Sequence, residues 1–386
     1  PGNRRPPPPP PFPPPPTRPP PRRAPRIPPH PKIGPPPGPA SSDLHTLERM
    51  AHAGVDVVRM NFSHGRAEEH IARAEAIRDA SARTGRPIGI LADLQGPKIR
   101  IGKFENGRVS LTRDAPFVLD ARCELGNSQR VGLDYKDLPK DVKAGDVLLL
   151  DDGRVKLTVH RVLGHEIHTI VKVGGELSNN KGINRQGGGL TAPALTAKDM
   201  DDIRTAAQIG VDFVAVSFPK SAADMYMARQ LLRAAGSAAL LIAKIERTEA
   251  VANLDEILDA SDGIMVARGD LAVEVGDAAV PALQKKMIRA ARDRNKLTIT
   301  ATQLMESMIT SPVPPRAGVS DVANAVLAGT DAVMLSAETA AGKFPVEVVE
   351  AMSRVCLEAE KSSELGLDRE MLNRVFTRID QSIAMA

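Results

Sequence analysis

The chain has 386 residues, 42% of them hydrophobic and 25% charged, with a formal net charge of +4. That size and balance fit a globular protein of two or three domains. No apolar run approaches the roughly 18 residues of a membrane span, and no apolar core follows the N-terminal basic residues as a signal peptide requires.

Two cysteines, Cys123 and Cys356, are too few for a disulfide framework and point to a reducing cytoplasm. The charge is unevenly placed. Residues 1–42 carry six Arg, one Lys and no acid, whereas the other 344 carry 44 basic and 47 acidic side chains, a net −3. Residues 1–39 also hold 22 of the 33 prolines. Such a run forms neither helix nor central strand, so residues 1–31 are expected to be a disordered or polyproline II tail. Basic Pro/Arg segments of this kind are ligands for SH3-like domains or for anionic surfaces. With no Trp and two Tyr there is no base-stacking platform, and neither nucleic acid nor membrane is an expected partner.

Lys32 and Ile33 open the first strand-like run, but Gly34-Pro35-Pro36-Pro37 follows and removes three ladder donors. A damaged strand with open edges on both neighbours is the expectation there. Gly38 to Asp43 reads as the approach to a helix N-cap. Apolar runs then recur at 55–60, 88–92, 211–217, 239–244, 263–267, 297–301 and 331–335. Helical patterns fall between them at 66–83, 198–208, 221–235, 249–259, 280–294 and 319–328. Short strands that are apolar throughout are buried on both faces, and their alternation with helices means parallel βα units. With the damaged run there are eight units, which predicts an α/β fold, a (β/α)8 TIM barrel over 32–96 and 183–350.

Residues 97–182 break this rhythm. Short strand-like runs at 108–111, 147–150, 155–159 and 169–173 are separated by Gly and Asp, with glycine-rich joints at Gly96 and at 182–189. They predict a small all-β domain inserted in a barrel loop, a lid on flexible joints. Residues 351–386 are expected, from a family resemblance alone, to be the start of a truncated C-terminal α/β domain.

Active sites of such barrels gather at the C-terminal ends of the strands. Here those ends carry Arg59, Asn61 and Ser63, Asp93, Ser217, Lys244 and Glu246, Arg268 and Asp270, Thr302, and Ser336 and Glu338. Glu246 and Asp270 end neighbouring strands, and two hard carboxylates with room for other ligands suit Mg2+. Lys244, two residues before Glu246 on one face of an extended segment, is positioned to stabilise a developing enolate or phosphoryl charge. Arg59, Arg100, Lys198 and Arg268 add cations around the same mouth, as phosphoryl transfer requires. No Walker A or kinase-type glycine-rich loop is present, so nucleotide phosphates fall to metal and side chains.

Several stretches together resemble pyruvate kinase: Met60-Asn61-Phe62-Ser63-His64-Gly65, Asp93-Leu94-Gln95-Gly96-Pro97-Lys98-Ile99-Arg100, Lys244-Ile245-Glu246, Met265-Val266-Ala267-Arg268-Gly269-Asp270-Leu271, Ala301-Thr302-Gln303 and Met334-Leu335-Ser336-Ala337-Glu338-Thr339. The resemblance implies transfer of the phosphoryl group of phosphoenolpyruvate to ADP in cytoplasmic glycolysis, by an enzyme whose full-length relatives are homotetramers. It implies Mg2+ (or Mn2+) on Glu246 and Asp270, and Lys244 beside the transferring phosphoryl. The Ala267, Arg268 and Gly269 backbone, Asp270 and Thr302 would bind the substrate, with Thr302 and Ser336 near the proton route. Arg59, Asn61, Arg100 and Lys198 would contact nucleotide or phosphate. Asn61, Ser63, Asp93 and the carbonyl of Leu94 correspond to a K+ site. Lys98 stands where K+-dependent members carry Glu, so its ammonium is expected to replace K+. Pro314-Pro315-Arg316-Ala317-Gly318 departs from the family's Pro-Thr-Arg-Ala-Glu. The alternatives are a Mg2+-dependent pyruvate-enolate aldolase or lyase, against which the lid, Lys198 and Lys244 count, and an inactive fragment.

Overall fold

Strands without a polar face need cover on both sides, and the chain supplies it by closing them into a ring inside a layer of helices. The computed structural model describes residues 32–362. Its barrel strands are β1 (Lys32–Gly34), β2 (Val57–Asn61), β3 (Gly89–Asp93), β4 (Phe213–Val216), β5 (Leu240–Ile245), β6 (Gly263–Ala267), β7 (Leu297–Ala301) and β8 (Ala332–Met334). They run parallel in the order β1-β8-β7-β6-β5-β4-β3-β2.

β1 is short, yet it bridges its two neighbours. Lys32, Ile33 and Gly34 pair with Ala332, Val333 and Met334 of β8. On the other side Asp56 N donates to Ile33 O at 3.1 Å and Arg59 N to Pro35 O at 3.0 Å. Leu335 N donates to Gly34 O at 3.0 Å, and Thr339 Oγ1 to Pro36 O at 3.0 Å. Prolines lose their donors but keep their acceptors, and the flanking segments bring the donors. The expected open edges are therefore corrected. Asp43 caps the helix Leu44–Ala53 by accepting from Thr46 N at 2.9 Å.

Inside the ring, Leu91, Ala215, Ile242, Met265, Ile299 and Met334 pack as a layer that fills the lumen. Their neighbours along the strands, such as Ile90, Val214, Leu241 and Ile264, face the helices instead. The two-residue period of a strand then fixes which residues come next on the inner rows. Leu91 is followed by Asp93, Ala215 by Ser217, Ile242 by Lys244 and then Glu246, and Val57 by Arg59 and Asn61.

Between β3 and β4 the chain leaves to build a second sheet of six strands, in the order Ile183–Arg185, Val147–Leu150, Val155–Leu163, Glu166–Val173, Pro116–Asp120 and Arg130–Val131. It has its own core around Phe117, Leu119, Leu148, Leu157 and Ile167. Two expected boundaries move. The lid extends past 182, because Ile183–Arg185 pairs with Val147–Leu150 and both Leu190 and Ala192 pack in the lid core. The barrel extends past 350, because the helix Pro345–Glu360 buries Met352, Cys356 and Ala359 in the barrel core. Burial pushes the Cys356 thiol up to about 12, which leaves it an inert packing group. The expected tail at 1–31 and the end of the expected further domain, 363–386, lie outside the described residues. No helix among the described residues is long and apolar enough to cross a membrane.

Candidate active site

Five polar side chains meet where the inner rows of β2 to β5 run out. Lys244 Nζ is 2.7 Å from Ser217 Oγ, 3.0 Å from Glu246 Oε1 and 3.1 Å from Asp93 Oδ1. Arg59 Nε donates to Asp93 Oδ2 at 2.6 Å. Ser217 Oγ donates in turn to Leu94 O at 2.7 Å. The chain after β4 turns through Phe218 at φ +55°, which aims Phe218 N at Glu246 Oε2, 2.9 Å away. Gly96 lies so close to this turn that a Cβ there would stand 2.7 Å from Ser217 Cβ, at a φ of +64°.

Burial works against every charge in this network, and pairing decides the outcome. It would lower the Lys244 ammonium, but Asp93 and Glu246 outweigh it and hold that pKa above its ordinary value. It would raise the Asp93 carboxyl, but Lys244 and Arg59 hold it below the usual range. Glu246 ends raised: burial pushes it up, Lys244 pulls back, and the charge of Asp270 pushes up again. Glu246 thus lies near enough to Asp270 to feel its charge. This hard-oxygen pair fits a divalent ion such as Mg2+.

The other half of the mouth comes from β6 and β7. Arg268 begins the helix Arg268–Val275, and its guanidinium takes both oxygens of Asp321 at 2.8 Å and reaches the carbonyls of Ala301 and Thr302. It is thus a clamp on the β7 exit rather than a free cation. The clamp holds Thr302 at φ +70° and Gln303 at φ +55°, a left-handed pair that a β-branched residue seldom enters. Thr302 Oγ1 accepts from Gly269 N at 2.9 Å. Lys98 Nζ, from the chain leaving for the lid, lies 3.0 Å from Asp270 Oδ1. Lys98, Gly269, Asp270, Thr302 and Gln303 line a cleft of about 560 Å³, closed from the lid side by Asp152, Lys156 and Gln186.

The remaining expected residues sit around this centre. Lys198 Nζ is held by Phe62 O and Asp202 Oδ2, both at 2.6 Å. Arg100 stands at the lid joint and donates to Asn180 O at 3.0 Å. Ser336 N and Met305 N both donate to the buried Glu338, which ties the β8 exit to the β7 exit. The expected K+ ligands already have protein partners: Ser63 N donates to Asn61 Oδ1 at 3.0 Å, Ser217 Oγ to Leu94 O, and Asp93 faces Arg59 and Lys244. Asn61 Oδ1 and Leu94 O each keep a further lone pair for a cation. Lys98 does not lie against the set, since its ammonium is on Asp270. Asp321 and Glu274 have no sequence signal of their own, because their importance rests on partners far away in the chain.

Comparisons with known proteins point to one family. A family model described as "Pyruvate kinase, barrel domain" matches residues 31–349. The chain is 55% identical over 354 residues to pyruvate kinase of Haemophilus influenzae, covering 90% of this chain and 74% of that protein. It is equally similar to pyruvate kinase II of Salmonella typhimurium, with the same coverage. To pyruvate kinase of Mycobacterium tuberculosis it is 46% identical over 326 residues, 84% of this chain and 69% of that one.

Proposed function

The chain belongs to the pyruvate kinase family, whose reaction transfers the phosphoryl group of phosphoenolpyruvate to ADP, and we propose that Lys244, Glu246, Asp270 and Thr302 are the groups that carry it here. The observation that carries the assignment is the buried Lys244, locked between Asp93 and Glu246 beside a cleft lined by Asp270, Gly269 and Thr302. An oxygen of the ADP β-phosphate takes the phosphoryl group, and the bond from phosphorus to the enol oxygen breaks. The enolate left behind takes a proton at its terminal carbon and becomes pyruvate. Lys244 stabilises the charge on the transferring phosphoryl and on the enolate, because its ammonium is fixed in a dry site before the reaction starts. The backbone at Ala267, Arg268 and Gly269, where a helix opens, and Thr302 bind the substrate carboxylate, which takes the place of Thr302 Oγ1 on Gly269 N. Thr302 and Ser336 stand on the proton side. Glu246 and Asp270 would hold the divalent cation, Mg2+ or Mn2+, which supplies neutralisation of oxygen charge.

The test of the metal pair is direct. Glu246→Gln removes one hard ligand charge, so Mn2+ affinity read by electron paramagnetic resonance should fall about tenfold or more. Affinity equal to the parent's would remove Glu246 from the set.

Family members generally work with K+, but Lys98 gives this chain a cation at the Asp270 side of the mouth, and Arg59 with Lys244 already answers Asp93. We expect turnover in a large organic cation to stay within about twofold of turnover in K+, and Lys98→Glu to make K+ necessary, with about a tenfold difference. A parent rate that collapses without K+ would sink this reading.

A further inference from the structure

Glu274 lies outside the network above, yet it touches three parts of the machinery. It closes the helix Arg268–Val275, one turn after Asp270. Its Oε2 accepts from Thr248 N at 2.9 Å, two residues beyond Glu246. Its backbone carbonyl accepts from Gly187 N at 3.3 Å, and it lines one small cleft with Asn184, both on the lid's return segment. Two neighbours reinforce this joint. Arg247 reaches Leu190 O at 3.4 Å and lies over the Phe218 ring, 5.4 Å from its centroid. Glu249 accepts from Gly189 N. Both passages between barrel and lid, at 97–99 and at 183–184, line the small cleft that Glu274 shares with Arg247.

We propose that Glu274 is a positioning residue for phosphoryl transfer: it sets the separation of Glu246 from Asp270 and clasps the lid's return segment to that same frame. The proposal rests on the reading of Glu246 and Asp270 as the metal-holding pair. A helical turn is stiff, so a displacement of Glu274 is carried to Asp270, and the bond to Thr248 N carries it to the chain leaving Glu246. A ligand pair held from behind in this way needs no rearrangement when the cation arrives.

The clasp also has two strengths. Burial pushes the Glu274 carboxyl up to about 7, against the Thr248 N–H and Arg247 and with the help of Glu249. The charged groups that face it are Arg247 and Glu249 from the segment after β5, and Lys98 from the outgoing passage that lines the same cleft. Above that pH the carboxylate is ionised, attracts Arg247 and holds the Thr248 N–H through a charge-assisted bond. Below it the group is neutral, and its hold on the lid's return segment weakens.

Amide hydrogen exchange over residues 183–189 and Mn2+ titration, both on the full chain, test this without using turnover. After correction for the intrinsic pH dependence, wild-type exchange in that segment should rise about tenfold as pH falls from 8 to 6. Glu274→Gln keeps the shape and the acceptor for Thr248 N, so it should fold, lose the step and hold Mn2+ within about threefold of wild type. Glu274→Ala also removes that acceptor and should weaken Mn2+ about tenfold or more. A step that persists in Glu274→Gln overturns the clasp, and unchanged Mn2+ affinity in Glu274→Ala overturns the positioning. Wild-type chain that binds no Mn2+ at all would refute the metal-pair reading itself, whereas the exchange step would still judge the clasp. If the Ala variant melts, Thr248→Pro, which removes the same N–H from the first position of its helix, decides the positioning: it should weaken Mn2+ about tenfold, and unchanged affinity overturns it.

Discussion

Lys244→Met is expected to lower kcat for pyruvate formation by about a thousandfold or more, with a far smaller effect on substrate binding. The residue is 9% exposed and its ammonium has three partners, Ser217, Asp93 and Glu246, so the charge is fixed by the protein. Its ammonium is also held above its ordinary pKa by the two carboxylates, after burial has been overcome, so it is a cation throughout the working range. Met matches its length and removes only the charge. Asp93 keeps Arg59 as a partner, and Glu246, already raised, can meet the loss by binding a proton. A cooperative melt with no turnover is therefore the expected pair of results, measured by pyruvate release from phosphoenolpyruvate and ADP with Mg2+. A folded variant within about tenfold of the parent rate would remove Lys244 from the chemistry.

Arg268→Lys is expected to lower kcat/KM for phosphoenolpyruvate by about a hundredfold, close to 2.7 kcal/mol of lost transition-state stabilisation. The guanidinium meets Asp321 with both oxygens and also reaches the carbonyls of Ala301 and Thr302. An ammonium has one nitrogen and cannot hold Asp321, as Nη1 does here, while also reaching those carbonyls, as Nε and Nη2 do. Thr302, held at φ +70°, would relax, and Gly269 N would lose its 2.9 Å partner just where the substrate carboxylate is expected. The effect should appear mainly with phosphoenolpyruvate, because the clamp acts on its side of the mouth. An equal loss in the KM for ADP would contradict this division.

The barrel was legible because its strands are short and apolar with helical patterns between them. The run 263–267 was read to the residue, and all five positions of β6 are buried. Helices were harder. The pattern expected at 249–259 is two helices, Thr248–Ala252 and Leu254–Ala260, with Asn253 between them. The helix Arg268–Val275 was not expected, because its first turn carries Arg268, Gly269 and Asp270 where a helix start signal would normally be sought. Its first turn is formed by the site rather than by propensity. β1 was misjudged for a related reason. Proline counts against a strand when donors are considered, but Pro35 and Pro36 are needed here as acceptors.

The sequence by itself determined the alternation, the inserted β segment and the row of polar residues at the strand ends, because a two-residue period carries chemistry as surely as it carries hydrophobicity. It thereby specified that Lys244 and Glu246 face the lumen together. Only the tertiary structure decided what those groups do to one another. It put Arg268 on Asp321 rather than in the open mouth, Lys98 on Asp270 rather than on Asp93, and Glu274 between the lid's return segment and the chain leaving Glu246. The physical reason is that the charge state and freedom of a buried side chain are set by whichever groups lie within a few ångströms, and in a closed barrel those groups come from strands far apart in the chain.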